Sequence, residues 1–281
     1  MAAPRTHSPT VNRLRLRVQE WGDAAAPPVV CVHGYTSSGE AFNALARRLQ
    51  DRFRFIVPDV RGHGESAWSP AGAYQYADQA GDLAALVDAL RLERFALIGT
   101  SMGGIIAMTY AASHAHRLVA LVLNDIGPDV ESGSARITST VGARPDKFPT
   151  LDEAMAWRRE MSPVTASRPL DDQRELALGV LREDNGSWVW KMDPAYIRQR
   201  VTQGPPRRPD LWPVLAKVPC PTLVVWGTAS DVLSEAQARR MVEALPQGEL
   251  VAVPGVVHAP TLVEPPVLAA LERLLAGTAT R

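Results

Sequence analysis

Ser101 sits in Gly99-Thr100-Ser101-Met102-Gly103, a pattern that can make a hydroxyl into a nucleophile. Phe95-Ala96-Leu97-Ile98 before it is a short apolar run of the kind that forms a buried strand, and Gly104-Ile105-Ile106-Ala107-Met108 after it opens a buried helix. G-x-S-x-G between a strand and a helix is the nucleophile-elbow pattern. The turn is tight, the central residue is strained, and a Cβ at either flanking glycine would meet the neighbouring backbone. The helix start also aims free N–H groups at any oxyanion formed there. By itself the pentapeptide also fits an ordinary strand-to-helix turn, or one that holds a phosphate.

Two further residues supply what a serine needs. A hydroxyl is a poor nucleophile until a base takes its proton, and a neutral imidazole does so near pH 7. His258 follows the strand-like Glu249-Leu250-Val251-Ala252-Val253, and Asp231 follows Pro221-Thr222-Leu223-Val224-Val225-Trp226. A buried carboxylate on the second imidazole nitrogen fixes the tautomer and stabilises the imidazolium. All three residues fall at the C-terminal ends of expected parallel strands, where open α/β sheets place their sites. Asp231 is the expected acid. Asp125, after Leu118-Val119-Ala120-Leu121-Val122-Leu123, is the alternative acid, because it ends a strand at the same sheet edge. Its loop, Asn124 to Pro128, also launches the next segment, which gives its carboxylate a turn-binding duty instead. His33-Gly34-Tyr35 closes an earlier strand, Val29-Val30-Cys31-Val32. The backbone N–H groups of Tyr35 and Met102 form the expected oxyanion hole. His33, Asp59 and His63 read as loop organisers.

These residues need a scaffold. At 281 residues the chain has room for one large α/β domain with an inserted subdomain. Strands and helices alternate, and the strands are nearly continuous apolar runs, so a parallel sheet covered on both faces is expected. Helices are expected over Tyr76 to Leu90 and about Glu235 to Leu245, with a last one carrying Val267, Leu268, Leu271 and Leu275 on a stripe. Arg13 to Glu20 alternates charged and apolar residues and reads as an exposed antiparallel edge strand; the start, Met1 to Pro9, reads as a loose tail.

Between 129 and 210 the rhythm breaks. Helical stretches appear over Thr150 to Met161, opened by a Thr150-x-x-Glu153 capping box, and over Asp171 to Arg182, with no buried strand. This stretch reads as a helical cap, 129–210, on a core formed by 1–128 and 211–281. Trp157, Trp188 and Trp190, with Tyr35, are candidates to line a substrate pocket. Arg158, Arg159, Arg174 and Arg198 read as a solvated face rather than an anion site.

Formal net charge is zero, so no basic face points to nucleic acid or an anionic membrane surface. No apolar stretch has the length of a transmembrane helix, and the start lacks the apolar core of a signal peptide. Cys31 and Cys220, without metal-ligand spacing, read as free buried thiols in a cytoplasmic protein.

His33-Gly34-Tyr35, Pro58-Asp59-Val60-Arg61-Gly62-His63-Gly64, Gly99 to Gly104, Trp226-Gly227 leading to Asp231, and His258 together resemble the α/β-hydrolase superfamily, in its small cap-bearing branch. The resemblance spans nearly the whole chain outside the cap. It implies an α/β-hydrolase fold with an eight-stranded, mostly parallel sheet, helices on both faces and an inserted helical cap. It also implies hydrolysis through a Ser101 acyl-enzyme without cofactor or metal. Two positions depart from the family pattern: Asp231 is four residues past Gly227 where three is common, and Val257 stands where glycine often precedes the histidine. The serine argues against relatives that use an aspartate nucleophile. The expected substrate is a small carboxylic ester or lactone. The alternatives are a carbon–carbon bond hydrolase of ring-cleavage products, and a ligand-binding or cofactor-free oxygenase member of the fold.

Overall fold

The computed structural model describes residues 3–129 and 133–277. Its main sheet has eight strands: β1 (Arg5–His7), β2 (Val18–Trp21), β3 (Pro28–Val32), β4 (Arg54–Pro58), β5 (Phe95–Thr100), β6 (Leu118–Asn124), β7 (Thr222–Gly227) and β8 (Gly248–Val253). Their order is β1-β2-β4-β3-β5-β6-β7-β8. β1 pairs antiparallel with β2, and β2 antiparallel with β4; every later pairing is parallel.

The continuous apolar runs are explained by two buried faces. Side chains alternate across a strand, and here both sides are core. Val30, Leu97, Leu121 and Val224 join one apolar cluster, while Val29, Ile98, Val122 and Val225 join the other. The first cluster is covered by α2 (Tyr76–Ala89), α3 (Met102–His114), α9 (Trp212–Leu215) and α10 (Glu235–Ala244); the second by α1 (Asn43–Leu49) and α11 (Pro265–Ala276). On α11 the expected stripe holds: Val267, Leu271 and Leu275 are fully buried.

Between β6 and β7 the chain leaves the sheet and builds α4 (Gly133–Gly142), α5 (Leu151–Met161), α6 (Pro163–Ala166), α7 (Leu170–Val180) and α8 (Pro194–Gln203). Thr150 caps α5 as its sequence demands, its hydroxyl accepting from Glu153 N–H at 3.2 Å. The expectation of helices alone is corrected here. Leu181–Asp184, Ser187–Trp190 and Lys147–Phe148 form a three-stranded antiparallel sheet. Asn185-Gly186, both at positive φ, make the hairpin turn, which needs residues tolerant of that region. Residues 130–132 of this insertion lie outside the described ones.

Two expectations for the start are also corrected. Arg5–His7 is not a loose tail but the edge strand, paired with Val18–Glu20; residues 1–2 lie outside the described ones. Arg13 to Glu20 is not one exposed edge strand. Leu14–Arg15 folds back on Thr10–Val11, and Val18–Trp21 lies inside the sheet with all four residues buried. Gln19 and Glu20 tolerate that burial because each has a charged or polar partner: Gln19 donates to Glu40, and Glu20 receives Arg54.

Candidate active site

β5 ends in the elbow. Ser101 has φ +53° and ψ −119°, outside the regions an L residue prefers. A conformation of this kind costs on the order of 1–3 kcal/mol and persists because its surroundings hold it. Ser101 N–H donates to Asn124 O at 3.0 Å, and Ser101 O accepts from Gly104 N–H at 2.8 Å. The glycines are required: a Cβ on Gly99 would lie 2.5 Å from Gly103 O, and one on Gly103 would lie 2.0 Å from Val32 O. The helix start thus packs directly on β3 and β5.

His258, in the loop after β8, reaches back over the sheet edge. Its Nε2 is 2.7 Å from Ser101 Oγ, and its Nδ1 is 2.8 Å from Asp125 Oδ2. A carboxylate only accepts, so Nδ1 carries the hydrogen and Nε2 presents a lone pair to the serine. Asn124 braces this corner, its amide donating to Thr100 Oγ1 at 3.1 Å and to Pro260 O at 2.9 Å. The nucleophile strand and the histidine loop are thereby tied to one side chain.

The expectation that Asp231 meets the imidazole is corrected by this geometry. Asp125, the alternative acid, holds that place. It is fully buried at φ +56°, which turns its side chain back along the sheet edge. Its carboxylate accepts from Gly227 N–H at 3.1 Å and from Ser230 Oγ at 2.7 Å as well as from His258. Ser230 stands three residues past Gly227, the position where the family resemblance looks for an acid. At that spacing the chain offers a hydroxyl donor to the neighbouring loop's carboxylate. Asp231, one residue later, faces the insertion. Arg136 of α4 grips it with two hydrogen bonds, the Nη2 one at 2.7 Å. That pairing holds the Asp231 carboxyl below its ordinary range.

His33 and Asp59 organise loops, as expected. His33 Nε2 accepts from Val60 N–H at 2.9 Å, so its Nδ1 donates to Gly34 O at 2.8 Å. Burial lowers its pKa to about 4. His63 is also fully buried, and burial, with His33 beside it, lowers it to about 3. His63 Nδ1 sits 3.1 Å from Arg61 O. Asp59 accepts from Gly39 N–H at 2.7 Å and from Glu65 N–H at 2.9 Å, joining the loops after β3 and β4. Cys31 and Cys220 are free and buried.

A cavity of about 630 Å³ opens onto Ser101 and His258. Tyr35, Trp157 and Trp190, the expected pocket candidates, are among its lining residues. Trp188 does not: it packs beside Phe148 in the small core of the insertion. Gly34 brings the loop after β3 against the nucleophile, where a Cβ would lie 3.3 Å from Ser101 Cβ. The reading of Arg158 as part of a solvated face is corrected, because it lines this cavity. Among the described residues no group of three or more His, Cys, Asp or Glu could hold a metal ion, and no helix is long and apolar enough to cross a membrane.

The chain matches the profile of the alpha/beta hydrolase fold family over residues 27–265. It belongs to the α/β-hydrolase family. It is 32% identical to a 3-hydroxybutyrate-oligomer hydrolase of Cupriavidus necator over 277 residues, covering 94% of this chain and 93% of that one. It is 30% identical to a 2-(acetamidomethylene)succinate hydrolase of Mesorhizobium japonicum over 256 residues, covering 91% and 89%. Among solved structures, an alpha/beta hydrolase from Novosphingobium aromaticivorans superposes with a TM-score of 0.87 at 35% identity, covering 98% of this chain and 99% of that one.

Proposed function

We propose that this α/β-hydrolase cleaves a small carboxylic ester or lactone through an acyl-enzyme on Ser101. The observation that carries the reading is the unbroken hydrogen-bonded row Ser101 Oγ, His258, Asp125. In it, His258 Nε2 takes the Ser101 proton as Oγ attacks the carbonyl carbon. Asp125 holds the imidazole in the required tautomer and stabilises the imidazolium. His258 then protonates the leaving alkoxide. Water repeats the sequence on the acyl-enzyme, with His258 again the base.

The oxyanion is received by the N–H of Tyr35 and the N–H of Met102. Met102 begins α3, so its N–H has no partner within its own helix. Gly34 lets the Tyr35 backbone pass close to Ser101. Two such donors, aimed at charge that develops only in the transition state, account for a large share of the rate. The insertion, 129–210, serves as the cap over the cavity. Relatives whose names describe hydrolysis of a hydroxybutyrate oligomer and of a substituted succinate are in keeping with a small carboxylic substrate.

A fluorophosphonate probe tests the reading. Wild-type protein should be labelled at Ser101 and Ser101→Ala should not, and p-nitrophenyl butyrate should give a burst of nitrophenol before steady turnover. A folded protein that takes no label and releases no nitrophenol would rule the reading out.

A further inference from the structure

The charged groups lining the cavity are unbalanced. Among the described residues they are Arg136, Arg144, Arg158, Arg168 and Asp231, in a chain whose formal net charge is zero. Asp231 is already taken by Arg136. None of the other three arginines has a carboxylate within ion-pair distance among the described residues, although Asp146 acts on Arg144, and Asp172 and Glu264 on Arg168, from further off.

Two of them also leave hydrogen-bond donors idle. Arg144 Nη1 and Arg158 Nε are shut off from solvent and have no hydrogen-bond partner among the described residues. An unpartnered polar atom of this kind costs free energy, more so on a charged group. Arg144 is held in place rather than loose. Its guanidinium lies 4.8 Å from the centre of the Trp190 ring, and Trp190 Nε1 donates to Pro145 O at 2.7 Å, beside Arg144 in the chain. Arg158 lies in the last turn of α5, within the field of Arg168. Burial lowers both Arg144 and Arg158 to about 10, and Arg168 adds to the effect on Arg158. The charged state still dominates at neutral pH, so the cavity keeps two cations that no lining carboxylate among the described residues pairs at close range.

A guanidinium presents parallel N–H donors that fit a planar carboxylate. Trp157 and Trp190, on the same cavity wall, offer apolar surface to a short carbon chain. We propose that Arg144 and Arg158 form a carboxylate-binding subsite, so that the ester cleaved at Ser101 carries a free carboxylate on the part lodged under the insertion. This rests on the hydrolase reading above and narrows its substrate class to acidic esters. A bound carboxylate would meet the two guanidinium charges at the cavity wall, and it would hold the scissile carbonyl near Ser101 through a contact remote from the reacting atoms.

Two esters of matched length provide the test: p-nitrophenyl hemiglutarate, which ends in a carboxylate, and p-nitrophenyl valerate, which does not. The readout is the ratio of their kcat/KM values. Arg144→Gln and Arg158→Gln should each lower this ratio by on the order of tenfold or more, the loss of a charge-assisted hydrogen bond. Arg158→Lys should recover part of it. A merely structural role would lower both esters together and leave the ratio unmoved. The second arm does not need turnover. Glutarate should bind Ser101→Ala protein by calorimetry and lose that binding when either glutamine substitution is added, while glutaramide should not bind. Inorganic phosphate should compete weakly; equal competition would overturn the carboxylate assignment. If the esters are cleaved but the ratio holds in both variants and glutarate fails to bind, the subsite is wrong and the hydrolase reading stands. If glutarate binds through the arginines but neither ester is cleaved and Ser101 takes no label, the subsite stands and the hydrolase reading is wrong.

Discussion

Two aspartates stand at the ends of neighbouring strands, and they live in different worlds. Asp125, after β6, has no exposed surface and accepts three hydrogen bonds, from Gly227 N–H, Ser230 Oγ and His258. Asp231, after β7, keeps 36% of its side chain exposed and pairs with Arg136 of the insertion. The β7 loop does contribute to the histidine's partner, through Gly227 and Ser230, but as donor rather than acid. Strand position alone therefore does not decide which carboxylate meets the imidazole. What sets Asp125 apart is a left-handed backbone turn and enough donors to hold a buried charge.

The largest expected effect comes from removing that charge while keeping its shape. Asp125→Asn should lower the single-turnover acylation rate by about 10⁴-fold. An amide cannot stabilise the imidazolium, and its NH₂ group would favour the tautomer that carries hydrogen on Nε2, facing Ser101. Thermal melting and far-UV circular dichroism should show a folded protein. An acylation rate within a few-fold of wild type would remove Asp125 from the mechanism.

Ser230 should come next. It does not touch the reacting atoms; it positions Asp125, and it also accepts from Val232 N–H at 3.1 Å and Leu233 N–H at 3.3 Å. Ser230→Ala should lower kcat on the order of tenfold, from the lost hydrogen bond to a charged acceptor, with KM little changed. Ser230→Thr keeps the hydroxyl and should restore most of the rate. If threonine fails where alanine fails, the side chain acts by packing, and the link between the two corners is not a hydrogen bond.

The same comparison shows which features could be read from residues alone. Leu118 to Leu123 and Thr222 to Trp226 announce buried parallel strands, because both faces of each strand are core. Ser101 and His258 follow from the elbow and from the histidine's place after the last strand. The choice between Asp125 and Asp231 was not legible, because it depends on the left-handed backbone at Asp125 and on loop paths between distant segments. A hint was present in the spacing, since Ser230 rather than Asp231 falls three residues past Gly227. Arg158 was hidden for a related reason. A polar helix face usually means water, but here part of that face meets a cavity. Leu181-Arg182 reads as the end of the helix expected over Asp171 to Arg182, and only the hairpin with Ser187–Trp190 makes Leu181–Asp184 a strand. Arg5–His7 carries no apolar pattern at all; its pairing with β2 comes from backbone ladders.

The smallest expected effect belongs to Asp231, and it is the sharpest test of the comparison. Its ion pair with Arg136 is bidentate but partly exposed, 49% for the arginine side chain and 36% for the aspartate, so solvent screens it. Such pairs contribute about 1 kcal/mol or less. Arg136 holds the Asp231 carboxyl below its ordinary value. This contribution is therefore complete above the unfolded carboxyl range and is lost as pH falls through the folded value. Asp231→Asn should leave the acylation rate of a neutral ester within about threefold of wild type, since a hydrogen bond to Arg136 can remain and the His258–Asp125 contact is untouched. Any change in melting temperature should shrink in high salt. The decisive measurement is the pair of single-turnover acylation rates for the two asparagine variants on one ester, each protein first shown to be folded. A collapse for Asp125→Asn beside a near-normal Asp231→Asn keeps the acid on β6. The reverse order would move it to the β7 loop, and the hydrogen bond from His258 to Asp125 would then describe a resting arrangement rather than the working one.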